Sequence, residues 1–230
     1  MERFIIGIDE VGRGPLLGPV AVGLCAIEEG EYERLKQEEL FWEGKDSKLL
    51  TKKRRLESFA VMNKLKNEGK INFGVFFESN KVIDEFGIIV ALQRAIKKGL
   101  ANFCGQEPEA VDQIEGDCSE LSGPDKVKPL IRPENCRVLL DGGLRAPKAF
   151  LDQITIVRGD QSELIISLAS IAAKVTRDAL LTDWAKKIEH YDLAENKGYG
   201  TARHLADLKS YGPCALHRRT FLRRFIDKTK

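Results

Sequence analysis

Four carboxylates follow short apolar runs in this chain. Asp9 and Glu10 close Phe4–Ile8, Asp141 closes Arg137–Leu140, and Asp160 follows Gln153–Val157. Each is succeeded or accompanied by a glycine break: Gly12-Arg13-Gly14 after the first pair, Gly142-Gly143 after Asp141, and Gly159 just before Asp160. If the runs are strands of one sheet and the relevant strands are parallel, their C-terminal ends share one edge, where ligands usually bind. Carboxylates gathered there repel one another. A like-charge pair 4 Å apart costs about 1 kcal/mol in water and about 4 kcal/mol at an effective dielectric of 20. A bound cation relieves that cost. Oxygen donors without histidine or thiolate favour Mg2+ or Mn2+ over zinc.

Each acid also has a plainer reading. Asp9 or Glu10 could simply end a strand, Asp141 before two glycines is a common turn, and Asp160-Gln161-Ser162-Glu163 fits a helix cap. Adjacent strand residues point to opposite faces, so Asp9 and Glu10 serve one site only if the strand bends or stops there. Gly12 and Gly14 permit that break and a close backbone approach to a ligand.

The elements that would position these acids are legible from periodicity. Residues 3–9, 18–27 and 70–78 read as strands, the first two pairing antiparallel and the third extending the meander. Thr51–Glu68 reads as a helix with Leu56, Phe59, Ala60 and Leu65 on its apolar side, and Val82–Asn102 as another, weakened by Gly87. Arg137–Asp141 and Gln153–Val157 are further strands. A long helix runs from Ser162 to about Glu189, and short helices follow over 197–230. The acidic segment Gly105–Asn135 reads as an insertion or long surface loop, its role open between partner contact, lineage decoration and a plain loop. The pattern is α/β: a mixed sheet flanked by helices.

Bulk properties narrow the function. The 230 residues are 43% hydrophobic and 31% charged, a globular composition, and no apolar run approaches the roughly 20 residues of a membrane span. The chain enters its first strand without a signal-peptide apolar region, which predicts a cytoplasmic protein. Five cysteines at irregular spacing form no zinc or disulfide pattern. The net charge of +2 says little, but Lys45–Lys70 and Arg218–Lys230 are basic while Glu28–Glu43 and Glu107–Asp125 are acidic. Two basic segments on a near-neutral chain suggest a local surface for phosphates, although each alone could be a solvated face. His190, His204 and His217 do not read as a metal group, and Trp42 and Trp184 read as packing residues.

Several words together carry a family resemblance. They are Ile8-Asp9-Glu10-Val11-Gly12-Arg13-Gly14-Pro15, Lys45-Asp46-Ser47-Lys48, Leu140-Asp141-Gly142 and Gly159-Asp160. The helix Ser167–Asp178 with Ala173-Lys174-Val175-Thr176-Arg177-Asp178 follows, then Asn196-Lys197-Gly198-Tyr199-Gly200-Thr201 with His204, and His217-Arg218-Arg219-Thr220-Phe221. In order along the whole chain, they resemble the ribonuclease HII family.

The resemblance implies a ribonuclease H-like fold with a mixed five-stranded sheet. Residues 1–188 would form the catalytic domain and 189–230 a small helical substrate-binding extension. Asp9, Glu10, Asp141 and Asp160 would be catalytic and would hold two divalent ions, Mg2+ or Mn2+. The reaction would be in-line hydrolysis of the RNA strand of RNA–DNA hybrids, and nicking 5′ of a ribonucleotide in duplex DNA, giving a 3′-hydroxyl and a 5′-phosphate. The Gly12-Arg13-Gly14 turn would sense the 2′-hydroxyl, which both donates and accepts. Tyr199 would pack on the neighbouring deoxyribose and favour a ribo-to-deoxy junction; read alone, it is a packed turn residue. Ser47, Lys48 and Lys174 are candidates for phosphate contact or positioning, Lys174 alternatively snorkelling along its helix. Arg218, Arg219, Arg223 and Arg224 would meet the duplex backbone or form a solvated face. A monomer is expected, with a sliding clamp as a candidate partner. The alternatives are the sister ribonuclease HIII family, whose strand-end motif differs from Gly-Arg-Gly, and a non-catalytic hybrid binder.

Overall fold

The computed structural model describes residues 2–38, 51–106 and 131–226. Ser47, Lys48, Trp42, Cys118 and most of the 105–135 segment lie outside the described residues, as does the side chain of Arg224.

Five strands form one mixed sheet: β1 (Phe4–Val11), β2 (Val20–Glu28), β3 (Ile71–Glu78), β4 (Cys136–Asp141) and β5 (Gln153–Ile156). Their order is β3-β2-β1-β4-β5. The expected meander is present, with β2 antiparallel to both β1 and β3. β4 runs parallel to β1 and β5 parallel to β4, so the ends of β1, β4 and β5 share one edge.

Alternation along the strands splits the core in two. Ile5, Ala21, Cys25, Ile27, Phe73 and Val75 pack on one face, while Ile6, Ile8, Val20, Val22 and Leu24 pack on the other. The helices among the described residues cover both faces. They are α1 (Glu29–Gln37), α2 (Lys52–Asn67), α3 (Asn80–Phe86), α4 (Ile88–Phe103), α5 (Gly159–Ser162), α6 (Leu164–Ala185), α7 (Leu193–Asn196), α8 (Ala202–Tyr211) and α9 (Arg219–Ile226). α6 lies on the first face with part of α2, and α4 on the second. Tyr191, Leu193, Leu208 and Leu222 join the first core, so the C-terminal helices pack on the same body.

Three sequence expectations need correcting. The helix read over Val82–Asn102 is two helices, because Gly87 at φ 83° closes α3 by donating to Ile83 and opens α4 by accepting from Ala91. The helix read from Ser162 starts at Leu164, after the single turn of α5, and ends at Ala185. In α2, Leu56 and Ala60 are exposed; Leu65 faces inward as read, Phe59 packs against the same core, and Met62, missing from the sequence reading, is buried beside them. The start of α2 is as read, with the Thr51 hydroxyl accepting from Arg54 N–H at 3.3 Å.

Two glycines fix how closely α6 lies on the sheet. A Cβ at Gly7 would fall 2.2 Å from the Ile165 carbonyl oxygen, and one at Gly23 would fall 2.1 Å from that of Ala169. Strand and helix backbones therefore touch, as no residue with a side chain would allow.

Candidate active site

Asp9 lies opposite Gly23 in the sheet, and Ala169 packs on Gly23. The next helix residue, Ser170, thereby reaches Asp9, and its side chain is hydrogen-bonded to the Asp9 carboxylate. β1 does not stop at Asp9. It continues along β2 to Val11, while the parallel ladder with β4 ends at Ile8↔Leu140. That flank of β1 opens toward Asp141. Asp9, Glu10 and Asp141 each bring a carboxylate oxygen within 4.8 Å of the others, despite the strand alternation.

Asp160 arrives differently. Arg158 takes the left-handed conformation at φ 57°, turning the chain from β5 into α5. Gly159 N–H then donates to Asp141 Oδ1 at 2.7 Å, so the turn carrying Asp160 is tied directly to Asp141. Asp160 is 1% exposed and makes no cap for α6. Its carboxylate lies outside the group of three among the described residues.

The electrostatics of the trio are those of a cation site. Burial, opposed by the Ser170 bond and reinforced by the charges of Glu10 and Asp141, pushes the Asp9 carboxyl up to about 8. Glu10 Oε1 accepts from Arg13 at 2.9 Å, and Glu10 Oε2 is buried with no hydrogen-bond partner among the described residues. A buried carboxylate oxygen without a hydrogen-bond partner, on a residue grouped with two further carboxylates, suits a hard divalent cation.

The Gly-Arg-Gly turn sits beside the trio on two buried arginines. Gly12 has φ 87°, and a Cβ there would lie 2.3 Å from Arg177 Nε. Arg177 donates to Pro19 O at 3.0 Å and to Lys197 O at 3.1 Å. Arg218 donates to the carbonyls of Gly12 at 2.7 Å, Arg13 at 2.9 Å and Gly18 at 2.8 Å. Both arginines are 0% exposed. Burial lowers the Arg177 guanidinium to about 10, and burial with the charge of Arg177 lowers Arg218 to about 9.

This corrects the reading of Arg218 as a contact to the duplex backbone: its fork is spent on three carbonyls inside the protein. Arg219 and Arg223 are exposed, as that reading requires. Tyr199 is 43% exposed, and a Cβ at Gly14 would lie 3.7 Å from its ring. Lys174 bonds Asp178 at 2.9 Å, one helical turn after Ser170, in a cleft shared with Lys52, Arg55 and Lys197.

His190 stacks on Tyr211, but His204 and His217 are buried and hydrogen-bonded to each other at 3.0 Å. Trp184 packs in the core, and Cys25, Cys104, Cys136 and Cys214 are free thiols. Among the described residues no helix is long and apolar enough to cross a membrane.

A mixed five-stranded sheet with acids at the ends of adjacent parallel strands places the chain in the ribonuclease H-like fold class. The family model for ribonuclease HII matches residues 6–225. Ribonuclease HII of Caldanaerobacter subterraneus is 34% identical over 224 residues, covering 97% of this chain and 76% of its own. Ribonuclease HII of Parasynechococcus marenigrum is 37% identical over 225 residues, covering 98% and 84%. The crystal structure of ribonuclease H2 from Pyrococcus horikoshii superposes with a TM-score of 0.64 at 25% identity, covering 98% of each chain. The chain belongs to the ribonuclease HII family and is an endoribonuclease of the ribonuclease H type.

Proposed function

We propose that Asp9, Glu10, Asp141 and Asp160 hold two divalent ions, Mg2+ or Mn2+, and that this site cuts the RNA strand of hybrids and nicks duplex DNA 5′ of an embedded ribonucleotide. The observation that carries the proposal is the trio of carboxylates within 4.8 Å beside the Gly-Arg-Gly turn. Bound there, the ions supply an activated attacking water and charge stabilisation at the leaving oxygen. Water attacks phosphorus in line, the P–O3′ bond breaks, and the products carry a 3′-hydroxyl and a 5′-phosphate. No enzyme nucleophile is consumed.

The chain's own residues choose the phosphate. The turn, pinned by Arg177 and Arg218, presents backbone groups of Gly12, Arg13 and Gly14 to the 2′-hydroxyl. A site built to bond a hydroxyl rejects the analogue lacking it by about 10⁴-fold. The Tyr199 ring, beside Gly14, packs on the next deoxyribose. Lys174, Arg219 and Arg223 meet phosphates, with Ser47 and Lys48 as further contacts, and residues 189–230 serve as the substrate-binding extension. The protein acts as a cytoplasmic monomer in ribonucleotide and primer removal.

The test is cleavage of a long RNA–DNA hybrid with Mg2+, Mn2+ or EDTA, beside Asp141→Asn. Cleavage that needs the ion and falls at least 10³-fold in the variant supports the proposal. Equal cleavage in EDTA would overturn it.

A further inference from the structure

We propose that the buried His204–His217 pair is a positioning device that fixes Tyr199 over the Gly12–Gly14 turn and thereby sets selectivity for a ribo-to-deoxy junction. The inference rests on the reading of Tyr199 and the turn given under Proposed function.

The hydrogen bonds of the pair have only one consistent direction. Cys214 N–H can only donate, and it meets His217 Nδ1 at 3.0 Å. His217 therefore carries its proton on Nε2 and donates to His204 Nε2 at 3.0 Å. His204 in turn carries its proton on Nδ1 and donates to the Tyr199 carbonyl at 2.9 Å, which can only accept. Both rings are neutral, and each tautomer is fixed by its neighbours.

Both ends of this relay are tied to the substrate-reading elements. At the Tyr199 end, the residue stands between Gly198, at φ 85°, and Gly200, so its own backbone gives its peptide little rigidity. The Tyr199 carbonyl is held by His204 and by Thr201 N–H at 2.8 Å, and Gly198 O accepts from Leu16 N–H at 2.8 Å. At the His217 end, His217 faces Leu17 across an isolated antiparallel bridge, and Gly18 N–H donates to Leu216 O at 3.0 Å. The next residue, Arg218, holds the Gly12 and Arg13 carbonyls. One continuous bonded path thus runs from the turn through two imidazoles to the tyrosine. A purely structural core position would be filled more cheaply by an apolar side chain.

The test compares kcat/KM on a duplex bearing one ribonucleotide with kcat/KM on a long RNA–DNA hybrid, alongside thermal unfolding. His204→Leu keeps the volume and removes the bond to Tyr199. The expected result is a roughly tenfold fall in the junction-to-hybrid ratio. His204→Asn, whose amide can still donate to the Tyr199 carbonyl, restores part of it. His217→Asn, a milder change that keeps the Cys214 bond, lowers the ratio in the same direction. Tyr199→Ala lowers the ratio by itself, and adding His204→Leu lowers it no further, the mark of two residues acting as one unit. Variants that lose melting temperature while the ratio stays at the wild-type value would overturn the inference alone. So would losses that multiply in the double variant. A wild-type protein without junction preference would overturn the Tyr199 reading and this inference together.

Discussion

Gly23 of β2 lies so close to Ala169 of α6 that a Cβ on the glycine would sit 2.1 Å from the Ala169 carbonyl oxygen. That contact sets the height of α6 over the sheet, and with it the reach of Ser170 to Asp9. Gly23→Ala is expected to destabilise the protein by about 3 kcal/mol, at the upper end of overpacking costs, since backbone rather than a flexible side chain must yield. It should also lower kcat by pushing Ser170 away from the site. Urea unfolding and hybrid cleavage measure the two effects.

Three crowded carboxylates repel until a cation is present. Asp9→Asn should therefore abolish cleavage, by 10³-fold or more, while raising the melting temperature of the metal-free protein by a few degrees. Adding Mn2+ should raise the wild-type melting temperature and leave the variant nearly unmoved, because ligand binding stabilises the folded state only where the site is intact. Differential scanning fluorimetry with and without the ion reads all three.

Arg218 and Arg219 are neighbours in opposite settings. Arg218 is buried on three carbonyls, so Arg218→Lys loses the fork and should cost about 3 kcal/mol of stability, with the salt dependence of duplex binding unchanged. Arg219 is exposed, so Arg219→Ala should leave stability within about 0.5 kcal/mol and reduce the slope of log K against log salt by about 1. Binding titrations between low and physiological salt separate the two.

Burial first, and then the charge of His204, lower the His217 imidazole to about 4. Burial also lowers His204, against the Tyr199 carbonyl bond and the charges of Asp207 and Asp192, with Tyr191 and Cys214 packed alongside. The unfolded chain then binds protons that the folded one refuses. Stability should be nearly complete above about pH 6.5 and fall as pH drops toward 4, by about 3 kcal/mol from His217 alone, with His204 adding in the same direction. Denaturant unfolding from pH 7 to pH 4 checks this, and His217→Asn should flatten the profile.

What was legible in the sequence followed from local chemistry. Apolar runs ending in acids disclosed the strands and the candidate acids, because those depend on neighbours in the chain; that Asp9, Glu10 and Asp141 group while Asp160 lies outside the trio depends on how distant strands assemble. The deep contacts were hidden. Nothing local distinguishes Arg218, buried on carbonyls some 200 residues away in sequence, from exposed Arg219 beside it. Arg177 did leave a signal, a cation on the apolar stripe of α6 between Ala173 and Leu181, where a charge must have acceptors waiting. Ser170 stood in a motif without a task, since its reach to Asp9 depends on Gly23 in another element. The His204–His217 bond joins residues on either side of a helix end, and spacing alone could not reveal it.

Acting as proposed, the acid trio and its turn would cut one defined bond beside a ribonucleotide. The most direct measurement is to map the nick in an end-labelled duplex carrying a single ribonucleotide, with Mg2+ or Mn2+ and with EDTA. An ion-dependent nick on the 5′ side is expected, with a 3′-hydroxyl upstream and a 5′-phosphate on the ribonucleotide, lost in Asp9→Asn. A cut on the 3′ side leaving a cyclic phosphate, or cutting that persists in EDTA, would contradict it.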